Sequence, residues 1–171
     1  MSLKQLALGT LAFAAMNVAF PSCVDAQPAP KLEPDEMFWA SKNDPDMNAA
    51  MDAARATLPE FLALARAPRR DTRVFAIKVR ITDGLHVEYF WLSPFAEQNG
   101  LFSGTVDNEP DTVKTVKLGE QITFTHNDIV DWTYVDGRGM RGNYTLCASF
   151  KRRPRPEAEA LIAKYGMDCK L

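Results

Sequence analysis

Histidine and cysteine are scarce in this chain, with 2 and 3 copies among 171 residues. A zinc centre needs three or four such ligands to converge. His86 and Glu88, two apart on a strand, share a face, and His126 with Asp128 would have to complete the set. Nothing in their spacing draws the four together, so neither a metal nor another cofactor is expected. A charge excess is also missing: 20 Lys and Arg stand against 22 Asp and Glu, a formal net charge of -2. That balance argues against a general nucleic-acid binder. None of Ser93, Ser103 or Ser149 sits in a G-x-S-x-G elbow. "DGRGMRG", Asp136 to Gly142, has the glycines of a phosphate loop but no lysine in the required place. No apolar run reaches the roughly twenty residues that span a bilayer.

The longest apolar stretch, Leu6 to Phe20, follows Lys4 and precedes Val24-Asp25-Ala26. A short basic region, an apolar run and small residues at a cleavage site form the pattern of a secretory signal peptide over residues 1–26. Export, to the periplasm in a bacterial cell, is the expectation, with no transmembrane segment in the mature chain. Lipid attachment at Cys23 is the rival, disfavoured by Phe20-Pro21-Ser22 before it. Cleavage leaves Cys147 and Cys169, and two cysteines in an oxidising compartment suggest one disulfide. Two free buried thiols are the alternative.

Residues 27–42 are proline-rich and polar and are expected to be an extended leader, with Met37, Phe38 and Trp39 apolar enough to dock on the domain. Residues 43–171 are the right length for one domain. Asp44-Pro45 combines a helix N-cap with proline at the first helical position. Met47, Ala50, Met51, Ala54, Leu58, Phe61, Leu62 and Ala65 then recur at helical spacing. Pro59 is expected to kink or restart this helix.

From Val74 the period becomes two. Phe75, Ile77, Val79 and Ile81 share one face, with Lys78 and Arg80 on the other. Asp83-Gly84 turns into "HVEYFWLSPF", which carries aromatics on both faces and reads as a central strand covered on both sides. "LFSGTV", "QITFT" (Ile122 and Phe124 inward) and Ile129 to Val135 continue the strands. Residues 143–150 fit a short helix started by Asn143, or a strand, almost equally. Pro156 opens a last helix with Ala160, Leu161, Ala163 and Lys164, closed by Gly166. The expected fold is α+β, a single domain with an antiparallel sheet packed by an N-terminal and a C-terminal helix.

For chemistry, paired carboxylates survive longest. Glu88 and Asp131 lie in aromatic-rich strands, as a glycosidase pair would, with Asp107 and Asp128 near turns. An aspartate beside Trp132 serves equally well to cap a turn or to pair with Arg138 or Arg141. The basic run Lys151, Arg152, Arg153 and Arg155 invites an anionic partner, or is a solvated link countered by Glu157 and Glu159.

Three stretches carry a family resemblance: "KVRITDGLHVEYFWLSPF", "FSGTVDNEP" and "VKLGEQITFTHNDIVDWTYVDGRGMRGNYT". From Met47 to Phe150 the chain resembles the YegJ-like domain of unknown function, a bacterial family with exported members. The matching positions are Phe61, Lys78, Glu88, Trp91, Gly104, Asn108, Pro110, Gly119, Ile129, Asp131, Trp132, Tyr134, Gly139, Gly142, Tyr144 and Thr145. The tail with Cys169 lies outside the shared pattern. The resemblance brings no activity with it.

Lys78, Glu88, Trp91, Asn108, Asp131, Trp132, Tyr134, Tyr144 and Thr145 are therefore expected to form a binding or structural network. The functional expectation is a binding or inhibitory module acting on an envelope protein or polymer, with surface aromatics at Trp132 and Tyr134. The alternative is an envelope hydrolase using Glu88 and Asp131. Convergence of these groups in an open cleft would favour the enzyme; burial and mutual satisfaction would point to the outer surface.

Overall fold

The structure is a computed structural model that describes residues 44–171. The segments read as signal peptide and leader, with Cys23, lie outside these residues. The chain forms helix α1 (Pro45–Arg66), strands β1 (Arg73–Asp83), β2 (His86–Gln98), β3 (Leu101–Val106) and β4 (Gln121–Thr125), a 3-10 turn (His126–Asp128), β5 (Ile129–Asp136), β6 (Gly139–Gly142), and helices α2 (Tyr144–Phe150) and α3 (Arg155–Tyr165). The six-stranded sheet has the order β4-β3-β2-β1-β5-β6, and every adjacent pair is antiparallel. This is the expected α+β domain.

The helix start is local chemistry. Asp44 Oδ1 accepts from the amides of Asp46 at 2.9 Å and Met47 at 3.3 Å, which satisfies donors that the first turn leaves open. Pro59 does not restart the helix: α1 runs continuously for 22 residues through it. Pro59 is exposed, and the carbonyl it deprives belongs to exposed Arg55. The lost hydrogen bond therefore falls on the solvent side, where water is free to take its place. The inward stripe Met51, Ala54, Leu58, Phe61 and Leu62 is buried against the sheet.

β1 and β2 form the expected hairpin, with Asp83 opposite His86 and Gly84 at a φ of 60° in the two-residue turn. Ile77, Val79, Phe90 and Leu92 are fully buried beneath α1 and join Phe102, Phe124, Ile129 and Trp132 in the main core. β2 is not covered on both sides. Its Glu88, Phe90 and Leu92 row is buried, while Val87, Tyr89 and Trp91 are only half-buried. The helices on that second face pack against Val135, Met140 and Val74 at the β5–β6 end of the sheet instead.

Residues 143–150 settle as helix from Tyr144. Asn143 occupies the N-cap position with φ 56°, but its side chain makes no cap. Its Nδ2 donates instead to Thr133 Oγ1 at 2.7 Å. The last helix forms as expected and is closed by Gly166. Ala158 and Tyr165 are buried, with Leu161 and Ile162 partly so, whereas Ala160, Ala163 and Lys164 are exposed. The spacing 158, 161, 162, 165 is itself a helical stripe, and its larger side chains outcompete the alanines for burial. Cys147 and Cys169 are bridged, with Cα atoms 5.3 Å apart and a sequence separation of 22. Closing such a loop is worth about 3 kcal/mol in the chain-entropy description and holds the tail on the second core cluster.

Candidate functional site

The residues singled out by sequence divide into three places. The first is polar. The register sets Lys78 on β1 between Trp91 on β2 and Asp131 on β5. Lys78 Nζ lies 5.3 Å from the Trp91 ring centroid and 3.1 Å from Thr145 Oγ1. Asp131 is completely buried. Its Oδ1 accepts from the amides of Trp132 (2.8 Å) and Tyr144 (3.2 Å), and its Oδ2 from the amide (2.8 Å) and hydroxyl (2.6 Å) of Thr145. Asp131 thus caps α2 from a neighbouring strand, the task its own N-cap residue leaves undone. Burial pushes the Lys78 ammonium down, and Asp131 only partly offsets this. Burial pushes the Asp131 carboxyl up, against the opposing pull of Lys78, the Thr145 hydroxyl and amide, and the Trp132 amide.

The second place is aromatic. Trp132 stacks on Phe61 with centroids 4.9 Å apart, lies 6.0 Å from Tyr134 and meets Tyr144 edge-on at 5.5 Å. Its Nε1 donates to the Ala54 carbonyl at 3.0 Å, while the Tyr144 and Thr57 hydroxyls are 2.9 Å apart. Trp132 is therefore a core residue and not the surface anchor anticipated. A tryptophan on a strand looks the same in sequence whether its face meets solvent or a helix; here its face meets α1.

The third place is the long connection between β3 and β4. Asn108 Oδ1 accepts from the Trp91 amide at 2.8 Å, and the Asp107 amide donates to the Trp91 carbonyl at 2.8 Å. Glu88 Oε1 accepts from the Asp111 amide at 2.9 Å and Oε2 from the Val113 amide at 2.7 Å. Asp83 Oδ2 takes the Lys114 amide at 2.8 Å. These carboxylates hold the connection down so that Val113 and Val116 enter the main core. Burial tends to raise the Glu88 carboxyl, but the Val113, Asp111 and Thr112 amides and the charge of Lys114 outweigh it, leaving it below its ordinary value.

Glu88 and Asp131 are not brought together. Glu88 pairs with Ile81 on the core face of the sheet, whereas Asp131 pairs with Lys78 on the other. Each is occupied by main-chain donors of its own. The arginines near the β5–β6 turn pair with Asp136, not Asp131: Arg141 Nε is 3.2 Å and Arg138 3.5 Å from Asp136 Oδ2. Sequence reasoning missed Asp136, although its place before "GRGMR" was a signal. His86 and His126 are exposed, and among the described residues no three His, Cys, Asp or Glu side chains gather as a metal site. In the basic run, Lys151 pairs with Asp46 at 2.9 Å, Arg152 with Asp44 and Arg155 with Glu159 at 2.8 Å. Much of this run thus meets carboxylates of its own chain.

The loop-anchoring role of Glu88 gives a testable pH dependence. A carboxyl held below its unfolded value lends stability above about pH 4.5 that disappears as pH falls through the lower folded value. Glu88→Gln retains one acceptor oxygen for two amides, and is expected to cost about 1–3 kcal/mol at pH 7. That cost is expected to shrink at pH 3.5, as urea unfolding at both pH values will measure.

With this arrangement in view, comparison with known proteins places it. A family described as an uncharacterized protein conserved in bacteria (DUF2314) matches residues 44–169. The chain belongs to this family. The match runs past Phe150 to residue 169, so α3 and Cys169 fall inside it, not in an added tail as the resemblance suggested. The chain is 34% identical over 118 residues to "Uncharacterized protein YegJ" of Escherichia coli (strain K12), covering 69% of this chain and 76% of that protein. It is 26% identical over 140 residues to "Putative ankyrin repeat protein NMB1133/NMB1171" of Neisseria meningitidis serogroup B (strain ATCC BAA-335 / MC58), covering 77% of this chain but only 55% of that protein. No solved structure matches the chain.

Proposed function

We propose that the chain is an exported binding or inhibitory module acting on an envelope protein or polymer, and that the uncovered face of the sheet is its working surface. The observation that carries this reading is the half-exposure of Tyr89 and Trp91 on β2, two apart and so about 7 Å from one another along the strand. Arg80 on β1, with Ser103 and Thr105 on β3, continues the same face. Flat aromatic rings amid hydroxyls and a cation suit a hydroxyl-rich anionic polymer better than a protein, whose interface core is depleted in charge. Export is supported by the N-terminal pattern and by the Cys147–Cys169 bridge, since such bridges persist in oxidising compartments. No helix among the described residues is long and apolar enough to cross a membrane. The hydrolase alternative draws no support from carboxylates on opposite faces.

The test is co-sedimentation of the mature chain with purified cell-wall sacculi, beside a Tyr89→Ala/Trp91→Ala variant. Binding by the native chain, lost in the variant while its thermal unfolding midpoint holds, is the expected result. Equal binding by both would sink the surface assignment. In-cell crosslinking to one protein through the same two residues would replace the polymer with that protein. Chemical sequencing of the N-terminus tests export: a start after Ala26 supports it, and a cytoplasmic chain retaining residue 1 overturns it.

A further inference from the structure

The hairpin partners β1 and β2 part before their ends. Their paired residues run from Asp83–His86 to Ile77–Leu92 and stop there. Beyond that point β1 follows β5 and β2 follows β3. Each does so with one residue more than its neighbour, between Arg73 and Ala76 and between Leu92 and Phe95. Such bulges bend a strand away from its partner and gather beside functional sites. The first of them also holds Val74 at φ 55°, a left-handed conformation that a β-branched side chain resists. Backbone held in this way clusters where ligands bind. Across the fork the Ser93 hydroxyl donates to the Phe75 carbonyl at 3.1 Å.

The last turn of α1 lies over this fork, and together they enclose an open cleft of about 550 Å³, within the range of small-molecule sites. Leu62 and Ala65 form one wall, Val74 and Phe75 the second, Pro94 and Phe95 the third. The Phe75 and Phe95 rings lie 6.0 and 5.9 Å from the buried Phe61 ring, so they are fixed from the core side while staying half-buried. Charge at the mouth is one-sided. The connection from α1 to β1, residues 66–73, reads Arg-Ala-Pro-Arg-Arg-Asp-Thr-Arg, four arginines to one aspartate. It starts at Arg66 and ends beside Val74, both of them in the cleft wall. Thr72 folds it tight, its amide and hydroxyl donating to the Arg69 carbonyl at 3.0 and 2.8 Å. All four arginines are exposed. Asp71 meets Arg69 and Glu97 meets Arg66, while among the described residues no carboxylate pairs with Arg70 or Arg73.

We infer that this cleft binds a single-chain amphiphile with an anionic head, a fatty-acid carboxylate. Its hydrocarbon chain lies between Phe75 and Phe95 beneath Leu62, and its head meets the arginines of residues 66–73. The apolar walls select the chain, because each methylene taken from water is worth about fourfold in affinity. The arginines select the head, because a guanidinium grips a carboxylate with two parallel donors. Arg66 spends one donor on Glu97, and such a solvent-exposed pair is weak enough to share its cation with a ligand. The volume has room for one hydrocarbon chain and not for the two chains of a phospholipid. The cleft lies on the α1 side of the sheet, whereas Tyr89 and Trp91 lie on the other. The inference thus goes beyond the polymer reading and stands or falls separately from it.

The test is isothermal titration calorimetry of the native chain with octanoate, decanoate and dodecanoate, each below its micelle concentration. Two variants stand beside it. Ala65→Trp fills the cleft from the helix side, and Arg66→Gln/Arg70→Gln removes charge from two exposed positions. One dodecanoate per chain is expected, with affinity rising about fourfold per methylene along the series. Both variants are expected to weaken dodecanoate by about tenfold or more with unchanged circular dichroism. Dodecyltrimethylammonium, which carries the same chain and the opposite charge, is expected not to bind. A native chain that takes up no dodecanoate overturns the inference, as does dodecanoate binding indifferent to a folded Ala65→Trp. Should Ala65→Trp fail to fold, the arginine variant and the ammonium comparison still decide: equal affinity in either one overturns it. Binding to phosphatidylglycerol vesicles without binding to dodecanoate would make the arginines a membrane contact, and overturns it too.

Discussion

Replacing Asp131 with alanine is expected to lower the unfolding free energy by about 3–5 kcal/mol, the cost of breaking a buried charged network by removing one member. Truncation orphans the amides of Trp132, Tyr144 and Thr145 and the Thr145 hydroxyl together. It also leaves Lys78, whose ammonium is already disfavoured by burial, without its nearby opposite charge. Asp131→Asn separates contact from charge. Its one carbonyl oxygen serves either the Trp132–Tyr144 side or the Thr145 side, and its amide nitrogen confronts donors on the other. A smaller but substantial loss is therefore expected, about 2 kcal/mol. Adding Lys78→Met to Asp131→Ala removes the stranded cation, so the double variant is expected to be more stable than the sum of the single losses predicts, by about 0.5–3 kcal/mol. Urea unfolding of the native chain, the Asp131 and Lys78 single variants and the double variant measures this directly. A loss below about 1 kcal/mol for Asp131→Ala, the size of one ordinary hydrogen bond, would mean that the α2 amides find other partners and that the strand-borne cap is dispensable.

How much of this was legible in the sequence depends on the range over which each feature is determined. Asp44-Pro45, the period-two run from Val74 and the Asp83-Gly84 turn are local, and all three read correctly. Lys78, Asp131 and Thr145 were marked as a network on a resemblance, and the structure does join them. The reason is long-range: β6 must end at Gly142 and Asn143 must take a left-handed conformation before the start of α2 can reach a carboxylate on β5. Asn143 therefore looked like a cap and proved to be a corner. Trp132 was placed outside because strand periodicity says which residues share a face, not which face is covered. Only the packing of Ala54, Leu58 and Phe61 decides that. Glu88 was read as a possible acid because nothing local announces that residues 111 and 113 return to it. Both carboxylates in fact organise main chain.

The corner after β6 sets the second large effect. Gly142 has a φ of 77°, a region that costs a residue with a side chain roughly 1–2 kcal/mol. A Cβ at this position would also strike the Trp132 carbonyl oxygen and lie 2.5 Å from ring atom Cε3 and 2.7 Å from Cζ3. Neither neighbour is free to yield. The carbonyl receives the Asn143 amide at 2.9 Å, and the ring is stacked on Phe61 and held through Nε1 by Ala54. Gly142→Ala is therefore expected to cost about 3 kcal/mol or more, strain adding to overpacking of about 1–3 kcal/mol. The damage is also expected to have a direction. Displacing Trp132 disturbs α1, and displacing residue 143 pulls Tyr144 and Thr145 away from Asp131, so one methyl group loosens both helices. Hydrogen exchange can separate this from a uniform loss: protection is expected to fall most in α2 and around Trp132, and least in the β3–β4 pair at the far end of the sheet. Gly137→Ala, in the adjoining turn where a Cβ meets nothing within 4 Å, serves as the control and is expected to change stability by less than about 0.5 kcal/mol. Equal losses at the two glycines would show that chain entropy, not the close approach to Trp132, explains why a glycine stands at 142.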